Sequence, residues 1–134
     1  MLTGDARESA THIAKLSKFL NDRSHIFTLD SHHIKEESLP HELSHIISQL
    51  STLPSGAEPA LVVEGHMIHE CEQGSSMTLL VQVLKACKTV ICYRATPKQK
   101  SHLVELARYR LKKRCLAIGD GANDGKSILD LVCD

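Results

Sequence analysis

Residues 60–65 have the sequence ALVVEG, so that four apolar residues in a row are followed by Glu64 and Gly65. A short apolar run of this kind between turn residues predicts a strand that is buried on both faces. The stretch before it, residues 51–59, has the sequence STLPSGAEP, whose Pro, Gly and Ser content is typical of a loop. We therefore predict a loop that leads into a buried strand over residues 60–63.

Two further apolar runs have the same character, at residues 89–93 and 115–118. Residues 77–86 and 97–113, which precede them, carry apolar side chains at helical spacing. Buried strands that alternate with amphipathic helices are typical of βαβ units and a parallel sheet. The sequence thus predicts an α/β fold. Its core would consist of Leu, Ile, Val and Ala, because aromatic residues make up only 3% of the chain.

The first part of the chain shows weaker patterns. Residues 8–20 have apolar side chains near helical spacing, and a second short amphipathic helix is predicted around residues 43–50. Between them, residues 21–40 are polar and rich in histidine, and we interpret them as an excursion over the surface. The length of 134 residues fits one domain or a piece of one, in which residues 21–59 form a variable polar excursion.

Composition excludes several classes of protein. Sixteen basic and sixteen acidic side chains give zero net charge, so a basic stripe for nucleic acid is not expected. Five cysteines without a CxxC pair are typical of reduced, mostly buried thiols in a cytosolic protein. The N-terminus has no apolar stretch of the signal-peptide type, and there is no apolar run of membrane-spanning length. The chain alone is predicted to be soluble.

The strongest local motif is GDGAND at residues 119–124, directly after the apolar run 115–118. Ligands of open α/β sheets bind at the carboxyl ends of the strands. Asp120 and Asp124 would supply there the hard oxygen ligands that suit Mg²⁺. The alternative is an ordinary surface turn, because Gly, Asp and Asn are common in turns.

A second motif, RATPKQK, occupies residues 94–100. Thr96 can cap a helix, a proline follows at the first helical position, and Gln99 completes a capping box. Lysines in a first helical turn oppose the helix dipole, an arrangement that is better tolerated where an anion lies nearby. We assign Lys100 to such an anion and interpret Lys98 as a solvated side chain.

Residues 3–5, Thr-Gly-Asp, open the first predicted helix. A threonine hydroxyl and the free N–H groups of a helix start suit phosphate oxygens. Taken alone, Thr3 is equally a plausible helix cap.

Together these elements resemble the phosphorylation domain, of haloacid-dehalogenase type, of the P-type ATPases. Residues 2–8 are similar to the TGD(x)nE element of that family, residues 94–100 to its R-x-[ST]-P-x-x-K helix start, and residues 116–124 to its LAIGDGAND loop. LAIGDGAND and the upstream VICYRATPKQK are most similar to the type IV members, the phospholipid flippases. Residues 60–65 also resemble the flippase strand that is usually written LVIDG.

The resemblance implies a role for each matched residue. The catalytic residues would be Thr3, which hydrogen-bonds the phosphoryl group, Lys100, which neutralises it, and Asn123. The metal ligands would be Asp120 and Asp124. The residues toward the nucleotide would be Thr3, Gly4, Asp5, Arg94, Lys100, Asn123 and Asp124.

The resemblance further implies a partial Rossmann-like parallel sheet with flanking helices, Mg²⁺ as the cofactor and ATP as a substrate of the parent enzyme. In that family the aspartate of a DKTGT motif attacks ATP and becomes an aspartyl-phosphate. The partners would be the nucleotide, actuator and membrane domains of the ATPase, with phospholipid as the transported substrate. The parent would be a membrane protein with this segment on its cytoplasmic side.

The sequence departs from the family at the nucleophile. It contains no DKTGT motif, and Asp30, in TLDS, lacks the Lys-Thr-Gly context. In the family the nucleophile lies on the central strand, which would precede Met1, so we expect a sheet without its central strand. We expect the chain to be the C-terminal portion of a phosphorylation domain that is inactive alone. The alternative is a non-catalytic module that binds Mg²⁺, phosphate or a protein partner.

A zinc site is a further alternative. His41, Glu42 and His45 match the HExxH pattern, in which two histidines bind zinc and the glutamate acts as a base. A zinc hydrolase would also need a third ligand and a cleft. In a chain with nine histidines, a chance match on a solvated helix is the favoured interpretation.

Overall fold

A computed structural model of the chain describes residues 1–32, 34, 39–116 and 118. Its centre is a three-stranded parallel sheet in the order β1-β2-β3. The strands are β1 (Ser24–Leu29), β2 (Glu58–Glu64) and β3 (Thr89–Tyr93). The predicted α/β class with a parallel sheet and flanking helices is confirmed, and the architecture is that of a partial Rossmann-like fold.

Five α-helices connect or follow the strands within the described residues. They are α1 (Arg7–Leu16), α2 (Leu39–Thr52), α3 (Gly65–Gln73), α4 (Met77–Ala86) and α5 (Pro97–Glu105). The last helix continues without a break into a π-helical turn, Leu106–Arg110.

The N-terminal residues extend the sheet beyond β3. Leu2 forms a parallel bridge with Cys92. The N–H of Thr3 donates to the Cys92 carbonyl, and the N–H of Cys92 donates to the Met1 carbonyl, both at 2.9 Å. The chain start therefore runs alongside β3 in the same direction as the three strands.

Helices cover both faces of the sheet, and β2 shows why. Ala60, Leu61, Val62 and Val63 are all at most 2% exposed, as the continuous apolar run predicts. Because successive side chains of a strand point to opposite faces, Leu61 and Val63 contribute to one core and Ala60 and Val62 to the other. The larger core is covered by α2 to α5.

The smaller core lies under α1. This helix buries only two side chains, Ala10 and Ala14, whose small size lets its backbone approach the sheet closely. They pack with Val62, Ile91 and Tyr93. The predicted helix over residues 8–20 is therefore present but shorter, and part of its apolar pattern does not face the core: Ile13 is 42% exposed and Leu16 is 71% exposed.

Several predicted elements are confirmed. The strands over residues 60–63 and 89–93 are present, as are the helix over residues 77–86 and the second short helix, here α2. The predicted helix over residues 97–113 is also present, as α5 and its π-helical turn, and ends at residue 110.

The interpretation of residues 21–40 as a surface excursion is wrong for residues 24–29. These residues form β1, which pairs with β2 from Ser24–Glu58 to Leu29–Val63. The strand lies at the sheet edge, where Phe27 and Leu29 are buried while Ile26 and Thr28 are exposed. Because the strand is buried on one face only, polar residues interrupt its apolar pattern, and the continuous apolar run of a fully buried strand is absent from this segment. Helix α3 was likewise not predicted.

The strand predicted at residues 115–118 is also not observed. Of this run, residues 115, 116 and 118 are described and none lies in a strand. Leu116 is 86% exposed and Ile118 is 91% exposed. A strand with two apolar faces needs neighbouring strands that pair with it and helices that bury it.

Four cysteines lie in the described part of the chain, and all four are free. Cys71 and Cys92 are buried, and burial raises the pKa of each thiol to about 12. Such thiols stay protonated and poorly reactive at neutral pH, which confirms the prediction for these two residues. Among the described helices, none combines the length and apolar character that a bilayer-spanning segment requires.

The position of β2 gives a prediction for stability. Leu61→Ala should lower the free energy of unfolding by about 2–5 kcal/mol, because the side chain is fully buried and its removal leaves a cavity. Leu16→Ala is the matched control and should change stability by less than about 0.5 kcal/mol, since this leucine is exposed. Urea unfolding followed by far-UV circular dichroism measures both, and equal losses would contradict the assignment of the core.

Candidate functional site

The carboxyl ends of all parallel segments meet at one edge of the sheet. β1 is followed there by Asp30, β2 ends at Glu64, and β3 is followed by Arg94. The N-terminal segment, parallel to β3, reaches the same edge at Thr3. Because ligands of open α/β sheets bind at this edge, these four polar residues form the candidate site.

The Thr3–Asp5 loop is joined to the end of β3 by its backbone. The N–H of Ala95 donates to the Thr3 carbonyl, and the N–H of Arg94 donates to the Asp5 carbonyl, both at 2.9 Å. Arg94 has a φ of +48°, in the left-handed region that a residue with a side chain rarely adopts. The close contact of the two loops is therefore made at some cost in backbone strain.

Thr3 does not cap the first helix, contrary to one of the two predictions made for it. Helix α1 begins at Arg7 after Ala6, and no side chain caps it. Instead, the Thr3 hydroxyl accepts a hydrogen bond from the N–H of Asp5 at 3.1 Å and donates to the Asp5 Oδ2 at 2.9 Å. The loop is thus stabilised locally, with Gly4 and Asp5 exposed.

Helix α5 begins with the predicted capping box. The Thr96 hydroxyl accepts a hydrogen bond from the N–H of Gln99 at 3.3 Å, and the N–H of Thr96 donates to the Gln99 side chain at 2.9 Å. Lys100 follows at the end of the first turn and is half-buried, while Lys98 is exposed. Thr96, the N-cap of α5, lies two residues after Arg94. A short connection therefore joins the end of β3 to the start of α5.

Glu64 is a buried charged residue at this edge, 8% exposed. Its Oε2 accepts hydrogen bonds from the Ser31 hydroxyl at 2.8 Å and the Ser31 N–H at 3.2 Å, and its Oε1 lies 3.4 Å from the Arg94 Nη1. Burial alone would raise the pKa of this carboxyl, but the hydrogen bonds from Ser31 and Arg94 outweigh burial and the pKa is lowered. Glu64 is therefore an ionised carboxylate at neutral pH.

A second buried carboxylate lies at the end of the neighbouring strand. Asp30 is 1% exposed and accepts a hydrogen bond from the Arg7 Nη1 at 3.0 Å. Tyr93 ends β3 at the same edge, and burial, together with the charges of Asp30 and Glu64, raises its pKa to about 12. A cavity of about 240 Å³ opens here, with Arg7, Asp30, Tyr93 and Arg94 among its lining residues.

The structure therefore brings together part of the predicted site. The Thr3–Asp5 loop and Arg94 are in direct backbone contact, and Lys100 lies on the helix that begins beside them. Asp120, Asn123 and Asp124, predicted as metal ligands and phosphate-site residues, lie outside the described residues. Their roles remain predictions.

Sequence reasoning missed the two buried carboxylates. Asp30 was considered only as a poor match to the family nucleophile, and Glu64 only as part of a strand motif. The signal that could have found Glu64 is its position at the end of an apolar strand of a parallel sheet, whereas Asp30 follows β1, a strand that the sequence pattern does not reveal. Their arginine partners are distant in sequence, 23 and 30 residues away.

The HExxH match lies on the outer side of α2. His41 and His45 are exposed, whereas Leu43 and Ile46 of the same helix face the core. His45 Nε2 lies 3.3 Å from the Gln49 side-chain amide. Across the residues that the structure describes, no group of three or more His, Cys, Asp or Glu side chains is arranged to hold a metal ion.

Comparisons with known proteins agree with the motifs at this edge. No protein-family model matches the chain. Human phospholipid-transporting ATPase VD is 32% identical over an aligned region that covers 92% of this chain and 10% of that protein. The probable phospholipid-transporting ATPase IIB of Mus musculus is 35% identical and covers 99% of the chain, and the probable phospholipid-transporting ATPase tat-5 of Caenorhabditis elegans is 34% identical and covers 92%.

The chain belongs to the type IV P-type ATPases. It spans only about a tenth of the length of these relatives, 10% of ATPase VD and 11% of ATPase IIB. The family assignment agrees with the predicted resemblance, which was based on the Thr3–Asp5, Arg94–Lys100 and GDGAND elements.

Gly65 permits the close packing that holds this site together. It is the first residue of α3, and a Cβ at this position would lie 2.9 Å from the Ala95 Cα, 3.0 Å from the Arg94 carbonyl oxygen and 2.7 Å from the Gln99 Oε1. Two of these neighbours are backbone atoms that cannot move without shifting the loop. The third is the side chain that completes the helix cap.

Gly65→Ala should therefore destabilise the protein by about 1–3 kcal/mol, the usual size for an overpacked position. Gly74→Ala at the other end of α3 is the matched control, because a Cβ there would meet only the Glu70 carbonyl oxygen at an ordinary 3.6 Å. Chemical denaturation of both variants checks this, and an unchanged midpoint for Gly65→Ala would show that the loop packing is not as described.

Proposed function

We propose that this chain is part of an ATP-driven, phospholipid-translocating P-type ATPase and supplies phosphate-binding and Mg²⁺-binding residues of its phosphorylation site. The main support is the direct backbone contact between the Thr3–Asp5 loop and Arg94 at the carboxyl edge of a parallel sheet. The names of the relatives, all phospholipid-transporting ATPases, support the transported substrate.

Within the proposed site, the residues have distinct tasks. Thr3 hydrogen-bonds the phosphoryl group with its hydroxyl, and Lys100 neutralises its charge from the first turn of α5. Gly4, Asp5 and Arg94 face the nucleotide. Asp120 holds Mg²⁺, and Asn123 and Asp124 support the metal and phosphoryl group. When bound, Mg²⁺ would neutralise phosphate charge.

We also propose that the isolated chain is catalytically inactive. The family transfers phosphate to the aspartate of a DKTGT motif, and the chain contains no such motif. Asp30 cannot replace it, because this carboxylate is buried and hydrogen-bonded to Arg7. In the parent protein, the nucleotide, actuator and membrane domains would be the partners of this segment, which would lie on the cytoplasmic side.

The proposed function leads to a prediction about phosphorylation. The purified chain, incubated with Mg²⁺ and ATP labelled in the γ-phosphate, should form no acid-stable, hydroxylamine-sensitive phosphoprotein, because the attacking carboxylate is absent. A P-type ATPase that contains DKTGT is the positive control. Robust labelling of this chain would show that another carboxylate acts as nucleophile, and Asp30→Asn would then identify or exclude Asp30.

The second prediction concerns binding. Titration with Mg²⁺ and inorganic phosphate, followed by two-dimensional ¹⁵N NMR, should shift the amide signals of Thr3, Gly4, Arg94 and Lys100. The dissociation constant should be about 1 mM or weaker, since the site lacks the nucleophile. Lys100→Ala should reduce the shifts, because it removes the charge opposite the phosphate.

Lys85→Ala is the control for this experiment, since it removes an exposed lysine from the last turn of α4. It should leave the phosphate-induced shifts unchanged. If the largest shifts instead fall around Asn21 and Glu58, at the amino ends of the strands, the proposed site is at the wrong edge of the sheet.

A further inference from the structure

Glu64 is a buried carboxylate that directly follows a run of four apolar residues in β2. The four residues before it, Ala60 to Val63, are buried and apolar. Removing a carboxylate from water is costly unless donors replace the lost hydration. A buried ion pair is also weak evidence for a role in stability, since apolar residues of similar size often serve as well. The presence of a charge here calls for a reason other than packing.

The two oxygens of Glu64 contact different parts of the site. Oε2 is held by the Ser31 hydroxyl and N–H, and is therefore fixed to the segment after β1. Oε1 faces the Arg94 Nη1 at 3.4 Å. Ser31 thus sets the orientation of the carboxylate, and the carboxylate presents its second oxygen to the guanidinium.

Arg94 is held at its backbone as well as at its side chain. Its N–H donates to the Asp5 carbonyl, and its φ of +48° sets the direction in which the side chain leaves the backbone. The side chain itself is 57% exposed, so packing alone does not hold it in place. Without Glu64, an arginine with this exposure would sample several rotamers.

We propose that Glu64 is a positioning residue that holds the Arg94 guanidinium at the carboxyl edge of the sheet, ready to bind the phosphate groups of a nucleotide. The inference rests on the proposed function for the identity of the ligand, but the Glu64–Arg94 contact itself does not. Gly65 contributes by letting the start of α3 approach Arg94 and Ala95 closely. Glu64 and Gly65 thus link the buried apolar residues 60–63 of β2 to Arg94 at the site.

The test is Glu64→Gln, which keeps the size of the side chain and removes its charge. The readout is the heteronuclear NOE of the Arg94 Nε–H group, which reports the mobility of this one side chain. We expect an ordered value in the unmodified chain and, in Glu64→Gln, a fall toward the value of the exposed Arg114. Affinity for ADP with Mg²⁺, measured in the same samples, should weaken by about twofold to fivefold.

Glu58→Gln is the matched control, since it is the same change at the opposite end of the same strand. Glu58 pairs with Arg23 at 2.8 Å and Lys88 at 2.7 Å, and does not contact Arg94. It should leave the Arg94 signal unchanged. Glu64→Asp retains the charge with a shorter reach and should restore part of the order that Glu64→Gln loses.

An unchanged Arg94 NOE in Glu64→Gln would overturn the inference whatever happens to ADP binding. If Glu64→Gln does not fold, Ser31→Ala replaces it, because this variant removes only the exposed hydroxyl that orients Glu64. Arg94 order in Ser31→Ala equal to that of the unmodified chain would then overturn the inference. The proposed function can fail separately. In that case Arg94 loses its order in these variants, but 10 mM ADP shifts no signal of residues 3–5 or 94–100 in the unmodified chain. The positioning contact between Glu64 and Arg94 would then stand without the proposed ligand.

Discussion

The backbone hydrogen bonds that join residues 1–5 to residues 92–95 are the constraint on which the rest of the site depends. Thr3 donates to Cys92 and accepts from Ala95, and Asp5 accepts from Arg94. A shift of this pairing by one residue would turn every side chain to the opposite face. The pairing therefore fixes which face of the segment Thr3 occupies, and it places the Thr-Gly-Asp loop beside the start of α5.

On this backbone arrangement, charged side chains are placed in pairs. Asp30 holds Arg7 and Glu64 holds Arg94, each by a buried carboxylate at a strand end and a partly exposed arginine. The Glu58 side chain at the other end of β2 is nearly as buried as that of Glu64, 13% against 10% exposed, and it pairs with two exposed cations, Arg23 and Lys88. What distinguishes the carboxyl edge is that two buried carboxylates lie there with their arginines, at the ends of neighbouring strands.

The elements that could be predicted correctly from the sequence are those whose pattern is formed by residues close together in the chain. The strands at residues 60–63 and 89–93 could be predicted because both faces are buried and the apolar run is continuous. The cap of α5 could be predicted because Thr96, Pro97 and Gln99 form it without help from the rest of the fold. β1 was missed because an edge strand with one buried face carries polar residues, and the ion pairs of Asp30 and Glu64 were missed because their partners are brought near only by the tertiary structure. The strand predicted at residues 115–118 failed for a related reason, since a buried strand also needs a neighbour.

The part of the site that the structure describes is held by contacts within residues 1–100. The backbone bonds of Thr3 and Asp5, the cap at Thr96 and the Glu64–Arg94 contact all lie in this range. None of them requires a nucleophile or a metal. The arrangement of this edge therefore follows from strand pairing, helix capping and ion pairing alone.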